Sequence, residues 1–213
     1  MKLFDCMKKQ QAPVKAIEPH AIPSEPILIE YQVDWARAHV LPAWETRVKA
    51  VADKVYFFKP RHQAVASALH KEMPFWVVSL IHNMEAGFNW NACLHNGEKI
   101  IGTGAKTKLV PAGRGPFSTW EEAAIDALRG RVSKVPKWDI PNILRFFEGY
   151  NGWGYRNKRL GPVVEYDNLY SPYLWSGTSV YTGGKYVSDG VFSMKAQSAQ
   201  VGCAAVMKYM RVV

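Results

Sequence analysis

Cysteine is scarce in this chain, limited to Cys6, Cys93 and Cys203. An odd number without metal-ligand spacing argues against a disulfide framework or a structural zinc site, and free thiols in a reducing cytosol are expected. No stretch of about 18 apolar residues occurs, so no membrane-spanning helix is expected. The opening "MKLFDCMKKQ" has basic residues but no apolar core of roughly seven, so a secretory signal is not expected, and action outside the cytoplasm would need another route of release. Acidic residues are also short, 18 against 27 Lys and Arg, which leaves a net charge of +9. "GTGAKTK" lacks the spacing of a phosphate loop and opens no helix, and no HExxH or paired Cys/His pattern appears. Neither a metal nor a cofactor is therefore expected. There is no internal repeat.

What is present is apolar and aromatic. The hydrophobic fraction is 48% and the aromatic fraction 13%, with eight Trp and ten Tyr, values of a globular chain with a binding surface. In residues 1–30, Lys2, Lys8, Lys9 and Lys15 balance Asp5, Glu18, Glu25 and Glu30, so the whole positive excess lies on residues 31–213. A positive globular surface attracts polyanions, whether nucleic acid, acidic headgroups or an anionic cell envelope; solubility alone would explain it equally well.

The proline-bearing stretch "QQAPVKAIEPHAIPSEP" reads as an extended arm, so residues 1–30 are expected to be a linker and 31–213 one domain. From Tyr31 the apolar residues Trp35, Leu41, Trp44, Val48, Val51, Val55 and Phe58 recur at helical steps, interrupted near Pro42 and expected to end at Pro60. "HQAVASALHK" is a short helix. "PFWVVSLIHNMEAG" is apolar on most faces, which predicts a helix buried at the domain centre and ended by Gly87 in a left-handed conformation. Residues 92–116, rich in Gly, Thr, Lys and β-branched residues, predict a small β-hairpin lobe. "STWEEAAIDALRG" opens with a hydroxyl cap and acidic first-turn residues and closes on Gly130. A further helix ends near Gly149, "SPYLWSGT" forms a short helix or turn, and the small-residue tail from Ser193 forms the last helix. The expected class is α+β, mainly α.

Glu85 closes the apolar helix. A carboxylate there sits near low dielectric and near the negative end of the helix dipole, and both raise its pKa. A carboxyl still protonated near neutral pH is what a glycosidase needs to protonate a leaving oxygen. Most Glu residues are simply solvated, and the helix end alone does not decide. Glu85-Ala86-Gly87-Phe88 resembles the Glu-Ser-x-Phe signature that ends the central helix of soluble lytic transglycosylases and goose-type lysozymes, and "YNGWGY" (150–155) resembles their cleft-lining Tyr-Asn-Gly element. The segments "MEAGFNWNACLHNGE", "VPAGRGPFSTWEEAAIDAL", "FEGYNGWGY" and "SPYLWSGTSVYTGGKYVSDG" are similar to those of lysozyme-like peptidoglycan hydrolases of phages and bacteria, over about residues 75–192. The resemblance implies a lysozyme-superfamily fold with Glu85 as the catalytic acid. Ala86 replaces the usual Ser and no Gly-Leu-Met-Gln motif is present, so hydrolysis and anhydro-sugar formation both stay open.

In that setting Glu98, in the expected β lobe, is a candidate second catalytic carboxylate that positions water, or else an exposed hairpin charge. Thr103 and Thr107 are candidate water-orienting hydroxyls. Tyr150, Asn151, Gly152, Tyr155, Tyr173 and Trp175 are the candidate substrate-binding residues, because aromatic faces stack on pyranose rings and Gly admits close approach; core packing is the alternative for each ring. His82 and His95 read as satisfied core or cleft residues, and Cys93 with His95 lacks the orienting group of a thiol nucleophile. The expectation is a monomeric, endolysin-like muramidase, made without a signal and reaching the wall by release or on a virion. Its partners would be the glycan strand of peptidoglycan and an anionic envelope. A lytic transglycosylase, a non-catalytic glycan-binding module and a basic nucleic-acid binder are the alternatives; aromatics grouped with Gly and Asn suit sugars better than nucleic acid.

Overall fold

A computed structural model describes residues 26–156, 169–188 and 190–212; the expected arm, up to residue 25, lies outside them. The fold is α+β and mainly helical. In chain order it contains α1 (Pro26–Arg37), a 3₁₀ turn (Pro42–Trp44), α2 (Glu45–Phe57), α3 (Lys59–Leu69), α4 (Phe75–Ala86), α5 (Trp120–Val132), α6 (Ile140–Asn151), α7 (Pro172–Trp175), the strands β1 (Lys185–Ser188) and β2 (Val191–Ser193), and α8 (Cys203–Tyr209). Among the described residues no helix is long and apolar enough to cross a membrane.

Helix α4 is the centre. Trp76, Val77, Val78, Ser79, Leu80, Ile81 and His82 are all buried in one continuous run. A helix apolar on every side needs neighbours on every side, and α2 and α3 pack directly on it, with α5 against α3. Helix α5 starts at a full capping box: the Thr119 side chain accepts from the Glu122 N–H, and the Glu122 side chain accepts from the Thr119 N–H. It runs through Gly130 to Val132, because packing of Leu128 and Val132 outweighs the weak helix propensity of one exposed glycine. Pro60 begins a helix instead of ending one. It stands in the first turn of α3, where a missing N–H is harmless, and Phe58 carries the bend between α2 and α3.

Helix α1 packs on α6 through a buried ionic group. Arg156 donates to Glu148 Oε2 from Nε (3.0 Å) and Nη2 (2.8 Å) and to Glu30 Oε2 from Nη1 (2.6 Å), while the Tyr31 hydroxyl also donates to Glu148. Glu148 and Arg156 are almost wholly buried. Glu30 belongs to this body, so the boundary expected after residue 30 falls inside α1.

The hairpin expected over 92–116 is not formed. That stretch is a series of turns, and the only two-stranded sheet among the described residues is β1–β2, paired antiparallel with Lys185 opposite Ser193. Residues 92–116 have a hairpin-like composition but are held by local backbone turns together with the side-chain acceptors Glu98 and Thr107. The last helix is shorter than expected, since Ser193 closes β2, residues 194–202 are irregular and only Cys203–Tyr209 is helical.

Gly202 explains that late start. Its N–H donates to Ser176 O (2.9 Å), and a Cβ there would lie 2.5 Å from Leu174 O and 2.7 Å from Ser176 N. Two backbones touch at this point, which lets α8 lie against α7. Gly202→Ala is expected to destabilise by about 1–3 kcal/mol through overpacking against immovable backbone. Gly130→Ala, in open space within α5, should stabilise by about 0.5–1 kcal/mol. Urea unfolding of the two variants checks both signs.

Candidate active site

Three helices deliver their C-terminal ends to one place. Glu85 ends α4, Arg131 lies in the last turn of α5, and Tyr150 lies in the last turn of α6, with Tyr173 added by α7. The Tyr173 hydroxyl donates to Glu85 Oε1 at 2.9 Å. Tyr150 donates to Leu94 O at 2.8 Å, and the Arg131 guanidinium carbon stands 4.8 Å from the centre of the Tyr150 ring. Arg131 Nη1 donates to Gly149 O at 3.0 Å.

Glu85 is half-buried. Burial pushes its pKa above the ordinary carboxylate value, and the hydrogen bond from Tyr173 and the Arg131 charge pull it back only in part. Burial also pushes the Tyr173 and Tyr150 hydroxyls up, and the Glu85 charge adds to both. The site therefore holds one carboxyl inclined to keep its proton, between two hydroxyls that stay neutral.

The chain after Glu85 is held in an unusual turn. Gly87 (φ 57°) and Phe88 (φ 65°) are both left-handed, and Phe88 is buried. A non-glycine residue in that region is strained and needs support. A chain of buried polar groups supplies it. Ser79 Oγ lies 2.7 Å from His62 Nδ1, His62 Nε2 lies 3.1 Å from His82 Nδ1, and His82 Nε2 lies 3.2 Å from the Asn89 carbonyl. The carbonyl can only accept, so His82 carries its proton on Nε2. Its Nδ1 then accepts from His62 Nε2, and Ser79 donates to His62 Nδ1. Burial first, then the neighbouring ring and Arg61, push His62 down to about 3, and burial takes His82 to about 4 against the pull of the Asn89 carbonyl. Both histidines are core residues joining α3 to α4.

Glu98 does something other than expected. Its carboxylate accepts from the backbone N–H of Lys108 (3.0 and 2.9 Å) and Leu109 (2.9 Å) and from Asn96 Nδ2 (2.9 Å). Partial desolvation raises its pKa, but those donors and the Lys108 charge outweigh it and leave the group below the usual value. It ties the 106–111 loop by the backbone of Lys108 and Leu109, while the Leu109 and Val110 side chains are 60% and 88% exposed. Thr107 is buried and serves the same loop, donating to Pro111 O and accepting from the Arg114 N–H. Thr103 bonds its own turn, donating to Ile100 O and accepting from the Ala105 N–H.

The expected binding residues divide. Tyr150 and Tyr173 join Glu85. Asn151 is exposed at the end of α6, 3.5 Å from Ser171 Oγ, and Gly152 (φ 99°) turns the chain away. Tyr155 packs edge-on to Tyr186 and Phe192 of the hairpin, and Trp175 is 2% exposed in the core with no face for a sugar. His95 bonds Asp126 at 2.8 Å and stacks on Phe117, which accounts for its burial. Sequence reasoning missed Arg131, which reads as an ordinary basic residue in the last turn of a helix. Among the described residues no group of His, Cys, Asp and Glu is placed to hold a metal ion.

Comparison of the chain with protein-family models, curated proteins and solved structures returns no match. The reading of the site rests on its own geometry.

Two outcomes follow. Tyr173→Phe removes a bond to the ionised form of Glu85, so the Glu85 pKa should rise further, measured by NMR of the labelled carboxyl carbon; an unchanged or lower value would refute the contact. The histidine pair has folded values below the ordinary 6.5, so its contribution is fully present above pH 6.5. As pH falls from 6.5 toward 4 the unfolded chain binds protons the fold excludes, and stability drops by about 1.4 kcal/mol per proton and pH unit. Nitrogen NMR at pH 5 should still show both rings neutral with the proton on Nε2.

Proposed function

We propose that the protein is a glycosidase of peptidoglycan, a muramidase on a lysozyme-superfamily fold, with Glu85 as its general acid. The observation that carries this reading is the half-buried Glu85 carboxyl of raised pKa, held by Tyr173 at the end of a buried helix. A group of this kind holds its proton to higher pH than an ordinary carboxylate and is only half-buried, so it can meet a glycosidic oxygen. Glu85 gives its proton to that oxygen as the bond to the anomeric carbon breaks, and water then adds to the oxocarbenium-like carbon, its released proton returning to the Glu85 carboxylate or passing to solvent. Tyr173 then holds the carboxylate that remains. Glu98 is left out of the reaction, because its oxygens fix the 106–111 loop; it shapes the region by that route.

The surroundings agree with a carbohydrate ligand. Tyr150 offers part of a ring beside the acid and Asn151 an exposed amide, a mixture of apolar face and hydrogen-bonding edge that suits a sugar. The net charge of +9 suits attraction to an anionic envelope. Anhydro-sugar formation on the same bond differs only in the nucleophile, the sugar's own 6-hydroxyl in place of water.

The test is release of reducing ends from purified cell walls. Glu85→Gln keeps size and hydrogen bonding but cannot donate the proton, so activity should fall by about 10²–10⁴-fold with the fold intact. Equal clearing of walls by both proteins would remove Glu85 from the mechanism, and clearing by neither would favour a non-catalytic glycan-binding role. Mass spectrometry of the released fragments distinguishes reducing from 1,6-anhydro ends.

A further inference from the structure

We propose that Arg131 recognises a carboxylate carried by the glycan strand, so that the site selects anionic over neutral glycans. The inference rests on the glycosidase reading and adds the substrate class to it. Arg131 is exposed, yet it is fixed at two points, by Gly149 O at 3.0 Å and by the Tyr150 ring at 4.8 Å. Arg37, Arg61, Arg114 and Arg156 are each ion-paired to a carboxylate. Arg131 is held by a carbonyl and a ring instead, and among the described residues it has no ion-pair partner. A guanidinium with one N–H engaged and its fork pre-set binds a carboxylate with little loss of side-chain freedom. A cation in the last turn of α5 is favoured by the helix dipole in any case, and Arg129 already supplies one. What sets Arg131 apart is its fixed place beside the acid.

Its resting charge opposes the acid. Arg131 favours the ionised form of Glu85, the form that cannot donate a proton. The other titratable groups facing Glu85 are Tyr173 from α7, Tyr150 from α6 and Cys203 from α8, all kept neutral by burial. Arg131 is thus the charged group there whose influence a ligand can cancel. A carboxylate seated on it offsets the positive charge, and Glu85 then holds its proton more firmly. Binding an anionic strand would keep the acid protonated for use; a neutral strand would leave more of it ionised. In peptidoglycan the carboxylate comes from a stem peptide or, on stripped strands, from the lactyl group.

Three ligands separate these sources: strands with stem peptides, peptide-free strands bearing lactyl carboxylates, and neutral chitooligosaccharides. Binding is measured by calorimetry in a Glu85→Gln background, and cleavage in the active protein, for wild type, Arg131→Gln and Arg131→Lys, each checked for an unchanged melting temperature. Arg131→Gln should weaken binding of at least one carboxylate-bearing strand about tenfold, as loss of a charged hydrogen bond implies, and leave the neutral ligand unaffected. Arg131→Lys, which keeps the charge, should recover part of the loss. With wild type and an anionic strand the basic limb of kcat should lie at higher pH than that of kcat/KM; in Arg131→Gln the two limbs should coincide. Equal binding of all ligands by wild type and Arg131→Gln overturns the role of Arg131, as does absence of binding. Arg131-dependent binding without any cleavage keeps the recognition site and removes the glycosidase reading.

Discussion

Helix α4 carries apolar side chains on every face, and no single neighbour can cover it. Much of the architecture answers that need: α2 and α3 lie along it, α5 packs on α3, and the aromatic side chains of Phe88, Trp90 and Trp120 close around its polar His82. A helix with such a surrounding can meet water only at an end. Its last turn carries Glu85, so the same burial that makes the core also limits where a carboxyl of raised pKa can stand.

Convergence of helix C-termini adds to this. Each presents unsatisfied carbonyls and a partial negative charge, which disfavours ionisation of Glu85 and favours a cation among them. Arg131 satisfies one of those carbonyls, that of Gly149, directly. The electrostatics of the site are therefore a compromise between an acid that burial keeps neutral and a cation that the helix ends attract.

Much of this was legible in the sequence. The unbroken apolar run before Glu85 required a buried helix, Gly87 marked its end, and the Ser-Thr-Trp-Glu-Glu start announced α5, because each of these signals is local. The hairpin expected over 92–116 failed because much of its backbone is organised by Glu98 and Thr107, side chains acting as acceptors up to about ten residues away, which composition does not record. Trp175 was equally unreadable: a ring beside Gly177 suits a cleft or a core, and only the packing of α7 on α8 decides. Arg131 and the Glu148–Arg156 pair depend on distant elements meeting, Arg156 with Glu30 of α1 above all, and the residues themselves give no sign of it. The aromatic and Gly-rich "YNGWGY" divided in the same way, Tyr150 going to the site and Tyr155 to the hairpin.

The loop tied by Glu98 has its order stored in its backbone. The bonds that shape it run to the backbone of Lys108, Leu109 and Arg114 and to Asn96 and Thr107, while the Leu109 and Val110 side chains stand in solvent. Neither side chain belongs to the packed core. The tip is a position where new contacts can be tried without disturbing the acid, and a natural place to graft a different surface preference onto an unchanged framework.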